Sequence, residues 1–262
     1  MMKVASNRLT SVALILLAIV AVICVMLGRW QLERAEQRRA IAETIEAGRR
    51  APPLALSPTI PTDTLIAWRA AAAQGRWRPE WSVLLDNRNL DGRPGLWLAT
   101  PLMLDDNSAV LVLRGWLERP IANKAPLKVP TTTGIEKVEG ELAVRVPRLF
   151  ELWSSQPNEE SSLPVSWKGI AQKDPALIDT ADLPRLQNLD LKTYAQRTGL
   201  VLLPTVLLQK SEEVSDGLKR VWPEPSLDAD KNVGYAMQWF GFSGIVMIAF
   251  IVVSWRRLRR RK

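Results

Sequence analysis

The sequence predicts an α+β membrane protein, with two transmembrane helices that flank a β-rich, barrel- or sandwich-like extracytoplasmic domain. Two long apolar runs without charge lie near the ends of the 262-residue chain, and short strand-like runs separated by turn residues lie between them. A strongly basic tail follows the second apolar run. A chain of this length suits one domain of ordinary size plus its anchors.

Both apolar runs are long enough to cross a membrane. Residues 9–28 and 232–255 contain no charged side chain, and runs of 20 and 24 residues reach about 30 and 36 Å as helices. A cleaved signal peptide is the alternative for the first run, but no small-residue cleavage site follows it. We therefore predict that residues 9–28 and 232–255 are transmembrane helices.

The basic residues at the chain ends predict the orientation. Six of the seven residues 256–262 are Lys or Arg, and such short basic segments stay in the cytoplasm. Residues 1–8 are then cytoplasmic as well, and the main domain is periplasmic or otherwise extracytoplasmic. Arg29, Arg34, Arg38 and Arg39 oppose this orientation, but the tail outweighs them. Eight residues before the first run are too few for a mitochondrial presequence, so we expect a bacterial cytoplasmic (inner) membrane.

The formal net charge of +8 does not indicate a nucleic-acid partner, because the excess lies outside the domain. Lys3, Arg8 and the six basic residues of the tail account for eight of the 35 Lys and Arg residues. The remaining 27 equal the 27 acidic residues, so the domain is electrically balanced. Nucleic-acid binders instead place Lys and Arg on the folded surface that does the binding.

Residues 29–62 are predicted as a helical extension and a Pro-rich linker. The helix is expected to begin near Trp30 and to end at Gly48, and Pro52, Pro53, Pro58 and Pro61 favour an extended chain after it.

Residues 63–231 are predicted as the β-rich extracytoplasmic domain. Strand patterns cover residues 65–75, 82–87, 96–104, 109–116, 136–143 and 200–209. The alanine run at 70–73 also suits a helix. A short helix is predicted at 189–198, with Asp190 near its start and Gly199 at its end. The polar residues 151–184 are predicted as loop.

The composition excludes most enzyme classes. A chain without histidine cannot form a Ser-His-Asp or Cys-His site or an imidazole metal site, and a single cysteine, Cys24, excludes an internal disulfide. Paired carboxylates remain, but all lie in polar stretches typical of solvated turns rather than of general acid catalysis. These pairs are Asp105 with Asp106, Glu159 with Glu160, and Glu212 with Glu213. A membrane-anchored hydrolase with a Ser-Lys or carboxylate site stays open as one hypothesis, beside the two non-enzymatic hypotheses given below.

Three segments resemble the surfeit locus protein 1 family, in the order that the family shows. LGRWQLERAEQR occupies residues 27–38; WSVLLDNRNLDGRPGLWLATPL and VLVLRGWLERP occupy 81–102 and 110–120; NVGYAMQWFGF occupies 232–242. The resemblance implies a non-enzymatic assembly factor for cytochrome c oxidase. Its expected partners are the heme-bearing subunit, other assembly factors and the lipid bilayer, and heme a is bound or passed at the membrane boundary.

The matching positions are candidate partner-binding residues, and each also has a structural interpretation. An indole at Trp30 and a guanidinium at Arg34 can stack at the interface, and an ordinary interfacial aromatic belt explains them equally well. Gly92 and Gly95 suit turns, and Arg88 with Arg93 can bind a carboxylate or phosphate. Solvated hairpin arginines are an equally good interpretation of the last pair. The full candidate set is Trp30, Gln31, Arg34, Asn87, Arg88, Gly92, Arg93, Gly95, Thr100, Pro101, Arg114, Gly115, Trp116, Gly234 and Gln238.

A heme a pocket is implied at the start of the second membrane helix. Asn232, Tyr235 and Trp239 share one helix face there, and Met237 is nearby. The family commonly has a histidine where this chain has Asn232, and an amide is a poor iron ligand. One hypothesis is therefore a scaffold that holds an oxidase assembly intermediate. The other is a carrier that binds heme a weakly or transiently through Tyr235 or Met237. We expect Gly234, Gly241 and Gly244 to pack against another helix.

Overall fold

The computed structural model describes residues 2–119, 127–147, 163, 169–170, 174, 176–210 and 216–259, with side chains from residue 9 onward. The elements in chain order are α1 (Met2–Arg50), β1 (Leu54–Leu56), β2 (Ala70–Trp77), β3 (Val83–Leu90), β4 (Arg93–Met103), β5 (Ser108–Glu118), β6 (Lys128–Pro130), β7 (Ile135–Ala143), β8 (Leu177–Asp179), β9 (Arg185–Leu186), α2 (Leu191–Thr198), β10 (Val201–Gln209) and α3 (Ala229–Arg259). Short 3-10 turns cover Thr62–Thr64 and Pro79–Trp81. The chain forms two compact units, a helical unit of residues 1–43 and 224–262 and a β unit of residues 44–223.

The helical unit consists of most of α1 together with α3. Both helices are long and apolar enough to cross a membrane, with mean hydropathies of 3.0 and 2.0 in their most apolar windows. The predicted end of the first helix at Gly48 is wrong, because α1 continues without a break to Arg50. Gly48 serves another purpose in the β unit, since a Cβ there would lie 2.1 Å from the carbonyl oxygen of Ala67.

The β unit is built on a closed ring of five strands. The pairings run β2–β7, β7–β10, β10–β5 and β5–β4, and a short β2–β4 contact returns to the start through Arg76 opposite Met103 and Trp77 opposite Leu102. Of the two predicted architectures, barrel and sandwich, the closed ring identifies a small barrel. Gly75 permits the closure, because a Cβ there would lie 2.0 Å from the carbonyl oxygen of Met103.

Apolar residues fill the interior of this barrel and cover one side of it. All five ring strands contribute to the interior, with Ala73, Leu102, Val112, Val138 and Leu207 among the contributors. The alternate residues of β5 and β10 point outward into a second cluster that includes the fully buried Tyr194 of α2. Strands that are apolar on both faces therefore have a packing partner on each face.

Two sequence predictions in this region need correction. The Pro-rich linker contains β1, which pairs in parallel with β2 at the sheet edge, where a strand tolerates neighbouring prolines. The predicted loop at 151–184 includes β8, which pairs with β6, while residues 151–162 lie outside the described residues. The strand predicted over the alanine run 70–73, by contrast, is confirmed, because each alanine pairs with β7.

The short helix is confirmed with both of its ends. The Asp190 side chain accepts a hydrogen bond from the backbone N–H of Thr193 at 2.9 Å, which satisfies a free donor at the helix start. Gly199 ends the helix in the left-handed conformation with φ +71°.

Candidate functional site

The β3–β4 hairpin carries the first group of motif residues. Asp91 and Gly92 both have positive φ, at +51° and +77°, which is the geometry of a two-residue type I′ turn. Arg93 beside them is exposed. Gly95 is not a turn residue, since it lies within β4 and a Cβ there would meet the Trp116 indole at 2.2 Å. The glycine is needed for close packing rather than for chain reversal.

Arg88 is a buried arginine rather than a solvated hairpin residue. Its side chain is 4% exposed, its guanidinium lies 4.5 Å from the Trp97 ring centroid, and Nη2 donates to the carbonyl oxygen of Gln187 at 2.8 Å. Burial lowers the pKa of Arg88 to about 10, an effect that Asp86 partly offsets. Arg88 and Arg93 therefore do not form one clamp, because one is buried and the other faces solvent.

Asn87 has a structural role at the bulge in this hairpin. It adopts φ +58°, and its N–H donates to the Asp86 carboxylate at 2.6 Å. The register of β3 on β4 shifts between Leu85 and Arg88, so the unusual backbone conformation coincides with a β-bulge. Arg119, which follows β5, pairs with the Asp86 carboxylate of β3.

The RGW motif at residues 114–116 holds the segment that follows β10. Trp116 and Lys219 exchange backbone hydrogen bonds of 2.7 and 2.8 Å, and the Lys219 ammonium lies 5.4 Å from the Trp116 ring centroid. The Trp116 Nε1–H donates to the carbonyl oxygen of Arg88 at 2.8 Å, which joins this motif to the hairpin motif. Gly115 is required because a Cβ there would lie 2.8 Å from that of Leu218.

A buried ion triad of Arg114, Asp216 and Arg220 also connects the RGW motif to the segment after β10. Arg114 is 2% exposed and lies 3.6 Å from the Asp216 carboxylate, which also pairs with Arg220 at 2.5 Å. Arg114 also donates to the carbonyl oxygen of Pro130 at 2.9 Å, and its guanidinium lies 4.8 Å from the Trp77 ring centroid. Burial lowers the pKa of Arg114 to about 10 despite the nearby carboxylate. Asp216 and Arg220 could not be predicted as members of this triad, because no periodicity or motif at 216–220 signals them.

The remaining motif residues of the barrel are also buried. The Thr100 hydroxyl hydrogen-bonds the Ser82 hydroxyl at 2.9 Å, and the carbonyl oxygen of Pro101 accepts from the N–H of Arg78 at 3.0 Å. These contacts fix β4 beside its neighbours.

The carboxylate pair that the structure describes matches a turn. The Asp105 carboxylate accepts from the N–H groups of Ser108 and Asn107, and these hydrogen bonds lower its pKa, whereas a general acid needs a raised one. Within the described residues, no group of three His, Cys, Asp or Glu side chains could hold a metal ion. The other pairs, Glu159 with Glu160 and Glu212 with Glu213, lie outside the described residues.

In the helical unit, α1 and α3 pack through a seam of small and polar residues. The Ser243 hydroxyl donates to the carbonyl oxygen of Ala21 at 3.2 Å, and the Phe240 ring covers Gly28, where a Cβ would lie 2.7 Å away. Asn232 donates to the Gln31 side chain at 2.6 Å. Other buried seam residues are Cys24, Ala35, Ala229 and Ala236. Spacings of three and four along both helices are those of a heptad seam.

The glycines of α3 lie outside this seam, so the α1–α3 pair does not test their predicted packing against another helix. Apart from the neighbouring backbone of α3 itself, no atom of the described residues lies within 4 Å of a Cβ built on Gly234, Gly241 or Gly244. Alanine and serine at Ala229, Ala236 and Ser243 provide the close approach instead. Gln238, between the first two glycines, is exposed.

The predicted Trp30–Arg34 stack is also replaced. Arg34 donates to the Gln37 side chain at 3.5 Å, and Trp30 is 51% exposed. Both side chains remain on the outer surface of α1.

The four residues of the implied heme pocket do not converge on one site. The Asn232 side chain is half-buried and bonded to Gln31, and Trp239 makes an edge-on contact with Phe242. Tyr235 and Met237 are 54% and 71% exposed, and two helix positions place them about 200° apart around α3. These residues do not fit an axial heme ligand set, because the amide is already bonded and the two remaining donors face different directions.

The fold and the site define a class of protein in which a small β-barrel lies in the chain between two helices of membrane-spanning length. Most of its motif residues serve internal packing. The SURF1 family model matches residues 18–244. The chain therefore belongs to the SURF1 family.

Relatives that carry this family name are distant in sequence but similar in length. An uncharacterised SURF1-like protein of Mycobacterium bovis and one of Mycobacterium tuberculosis are each 23% identical over 256 residues, covering 96% of this chain and 85% of theirs. A SURF1-like protein of Rickettsia bellii is 23% identical over 252 residues, covering 92% of this chain and 91% of its own.

Proposed function

We propose that this protein is a non-enzymatic assembly factor for heme-copper cytochrome c oxidase, which holds the heme-bearing subunit during biogenesis. The observation on which this depends is the family match, which includes parts of both long helices and the whole β unit. Family membership sets the expectation of oxidase assembly, and the geometry of this chain supports a holding role over a catalytic one.

The motif side chains support the non-enzymatic part of the proposal. Arg88, Arg114 and Trp116 are buried and committed to backbone or ring partners, so they organise the barrel instead of facing a substrate. Catalysis by a carboxylate pair would need one buried carboxyl group, and Asp105 lies in an exposed turn.

The motif residues that remain exposed on the two long helices are the proposed contact surface for the oxidase. Trp30 and Arg34 lie on the outer side of α1, and Gly234 and Gln238 lie on the outer side of α3. A Gln238 amide inside an uncharged run would face hydrocarbon, where an unpaired polar group is costly. A hydrogen bond from a helix of the heme-bearing subunit would satisfy it, and the flanking glycines would allow that helix to approach closely.

Scaffolding is favoured over heme carriage for a geometric reason. A carrier that used Asn232 would have to break its 2.6 Å hydrogen bond to Gln31 and would still lack a strong iron ligand.

We assign the protein to a bacterial cytoplasmic membrane, with both termini in the cytoplasm and the barrel outside.

Deletion of the gene in a host with a single copy tests the proposal. We expect less assembled oxidase, measured as activity and heme-bearing subunit content, with unchanged extractable heme a. Normal oxidase in the deletion strain would remove the assignment, and loss of heme a would indicate a role in heme synthesis instead.

Complementation then tests the contact surface. Gln238→Leu should restore less oxidase than the wild-type gene, because the partner loses its hydrogen bond. Gln196→Leu, an identical change at an exposed position of α2, should restore it fully. Equal rescue by both variants would exclude Gln238 from the contact surface.

A further inference from the structure

An apolar groove runs along the helical unit between α1 and α3. It has a volume of about 380 Å³ and is lined by Leu17, Ala18, Val22, Val25 and Met26 of α1 and by Met247 and Phe250 of α3, among others. Its floor is closed by the hydrogen bond from the Ser243 hydroxyl to the carbonyl oxygen of Ala21. The polar atoms of Ser243 are thus already used, and the groove offers mainly hydrocarbon surface.

A single cation marks one end of this groove. Arg29 lines it, is exposed, and is the first charged residue after the uncharged run 9–28. No ion pair to Arg29 is present among the described residues. An unpaired guanidinium at the end of an apolar span lies at headgroup level, where it can bind a phosphate through two parallel hydrogen bonds.

We propose that this groove is a binding site for one anionic phospholipid, with an acyl chain between the helices and the phosphate on Arg29. The proposal rests on the assignment of α1 and α3 as membrane-spanning helices. It does not depend on the role in oxidase assembly.

The shape of the groove favours an acyl chain over a partner helix. From Arg29 to Leu17 it extends over 12 residues of α1, or about 18 Å, which suits an extended hydrocarbon chain. A helix is about 10 Å wide with its side chains, too wide for a groove of this volume and length. The charge of Arg29 then selects an anionic headgroup over a zwitterionic one.

Native mass spectrometry of the full-length protein in detergent tests the site directly. The probes are phosphatidylglycerol and phosphatidylcholine with identical acyl chains. We expect the wild type to retain one phosphatidylglycerol, with phosphatidylcholine bound about fivefold more weakly, as expected for one headgroup–arginine contact.

Two pairs of variants separate the groove from general lipid adhesion. Arg29→Gln should remove the preference for phosphatidylglycerol, whereas Arg34→Gln, on the same helix outside the groove, should keep it. Ala18→Phe should fill the groove and abolish the single retained lipid, whereas Ala13→Phe, at an exposed position outside the groove, should not. Unchanged thermal unfolding of each variant shows that the helices remain packed.

Three outcomes would overturn the proposal. Equal retention of both lipids by the wild type would remove charge selection, and unaltered preference in Arg29→Gln would place the phosphate elsewhere. Lipid retention by a folded Ala18→Phe would show that the chain does not lie in the groove. These lipid measurements are independent of the oxidase content measured in the deletion strain. Failure of the lipid proposal is therefore distinguishable from failure of the assembly role.

Discussion

The Asn232 amide donates a hydrogen bond to the side-chain oxygen of Gln31, 201 residues away in the chain, at 2.6 Å. These residues belong to the two motifs that border the predicted spans, so both motifs take part in one helix–helix contact. The position that suggests a missing heme ligand from sequence is therefore a polar contact in the seam.

We predict a measurable coupling between Gln31 and Asn232. Replacing either by Leu should lower the unfolding temperature of the protein in detergent, and the double variant should lose less than the sum of the two single ones. The coupling should be about 0.6 kcal/mol and no more than about 2 kcal/mol, as for other hydrogen bonds between membrane helices. Additive losses would mean that the contact contributes nothing to helix pairing.

The contacts between the RGW motif and residues 216–220 predict that replacing Asp216 strongly lowers the stability of the protein. Its carboxylate pairs with two buried guanidinium groups, so Asp216→Ala leaves Arg114 and Arg220 as unpaired buried charges. We expect a loss of about 3–5 kcal/mol in the free energy of unfolding. Asp106→Ala in an exposed turn is the control and should change stability little. Similar unfolding temperatures for the two variants would contradict a structural role for the triad.

Gly92 and Gly95 should respond differently to the same substitution. Gly95→Ala forces a methyl group into the Trp116 indole and should cost about 1–3 kcal/mol, whereas Gly92→Ala strains a left-handed backbone by about 1–2 kcal/mol with open space around it. Shortening the indole with Trp116→Leu should reduce the cost of the first change and leave that of the second. Denaturant unfolding of the four combinations measures both terms, and a Gly95 cost independent of Trp116 would contradict the packing role.

The sequence predicts the strands well where the apolar pattern itself determines the fold. β5 and β10 are apolar on both faces, and each is buried on both faces in the barrel. The hairpin turn and the α2 caps follow from local chemistry at Gly92, Asp190 and Gly199.

The errors arise where tertiary contacts decide. Gly48 and Gly95 are needed for close approach to other chain segments, which sequence cannot distinguish from a helix stop or a turn. The burial of Arg88 depends on Trp97 and on the carbonyl of Gln187, and the latter pairing joins positions 99 residues apart. The uncharged polar residues Gln31 and Asn232 beside the two spans were the one available sign of the helix contact.

Reporter fusions test the proposed topology. Fusions after residues 8 and 259 should give a cytoplasmic signal, and a fusion in the exposed hairpin turn at Asp91 should give an extracytoplasmic one, because the basic tail outweighs the arginines after the first span. A cytoplasmic signal at Asp91 would exclude the two-span arrangement. Insertion of the same reporter at the exposed Asp106 turn provides an independent position in the barrel.

Asn232→His tests whether the helix contact and heme binding compete for the same position. The wild type should bind heme a weakly, since the amide is bonded to Gln31 and the exposed Tyr235 and Met237 lie on different sides of α3. Histidine at 232 introduces an imidazole, a usual axial donor, so the variant should bind more tightly and show a low-spin, imidazole-type absorption spectrum. Asn232→Leu removes the amide without adding a ligand and should leave binding weak.

Titration of heme a into the three proteins in detergent gives the affinities and spectra. Strong binding by the wild type without gain from histidine would place the ligand elsewhere in the chain. Absence of binding by all three would leave the holding of the oxidase subunit, rather than the carriage of its heme, as the role that this geometry supports.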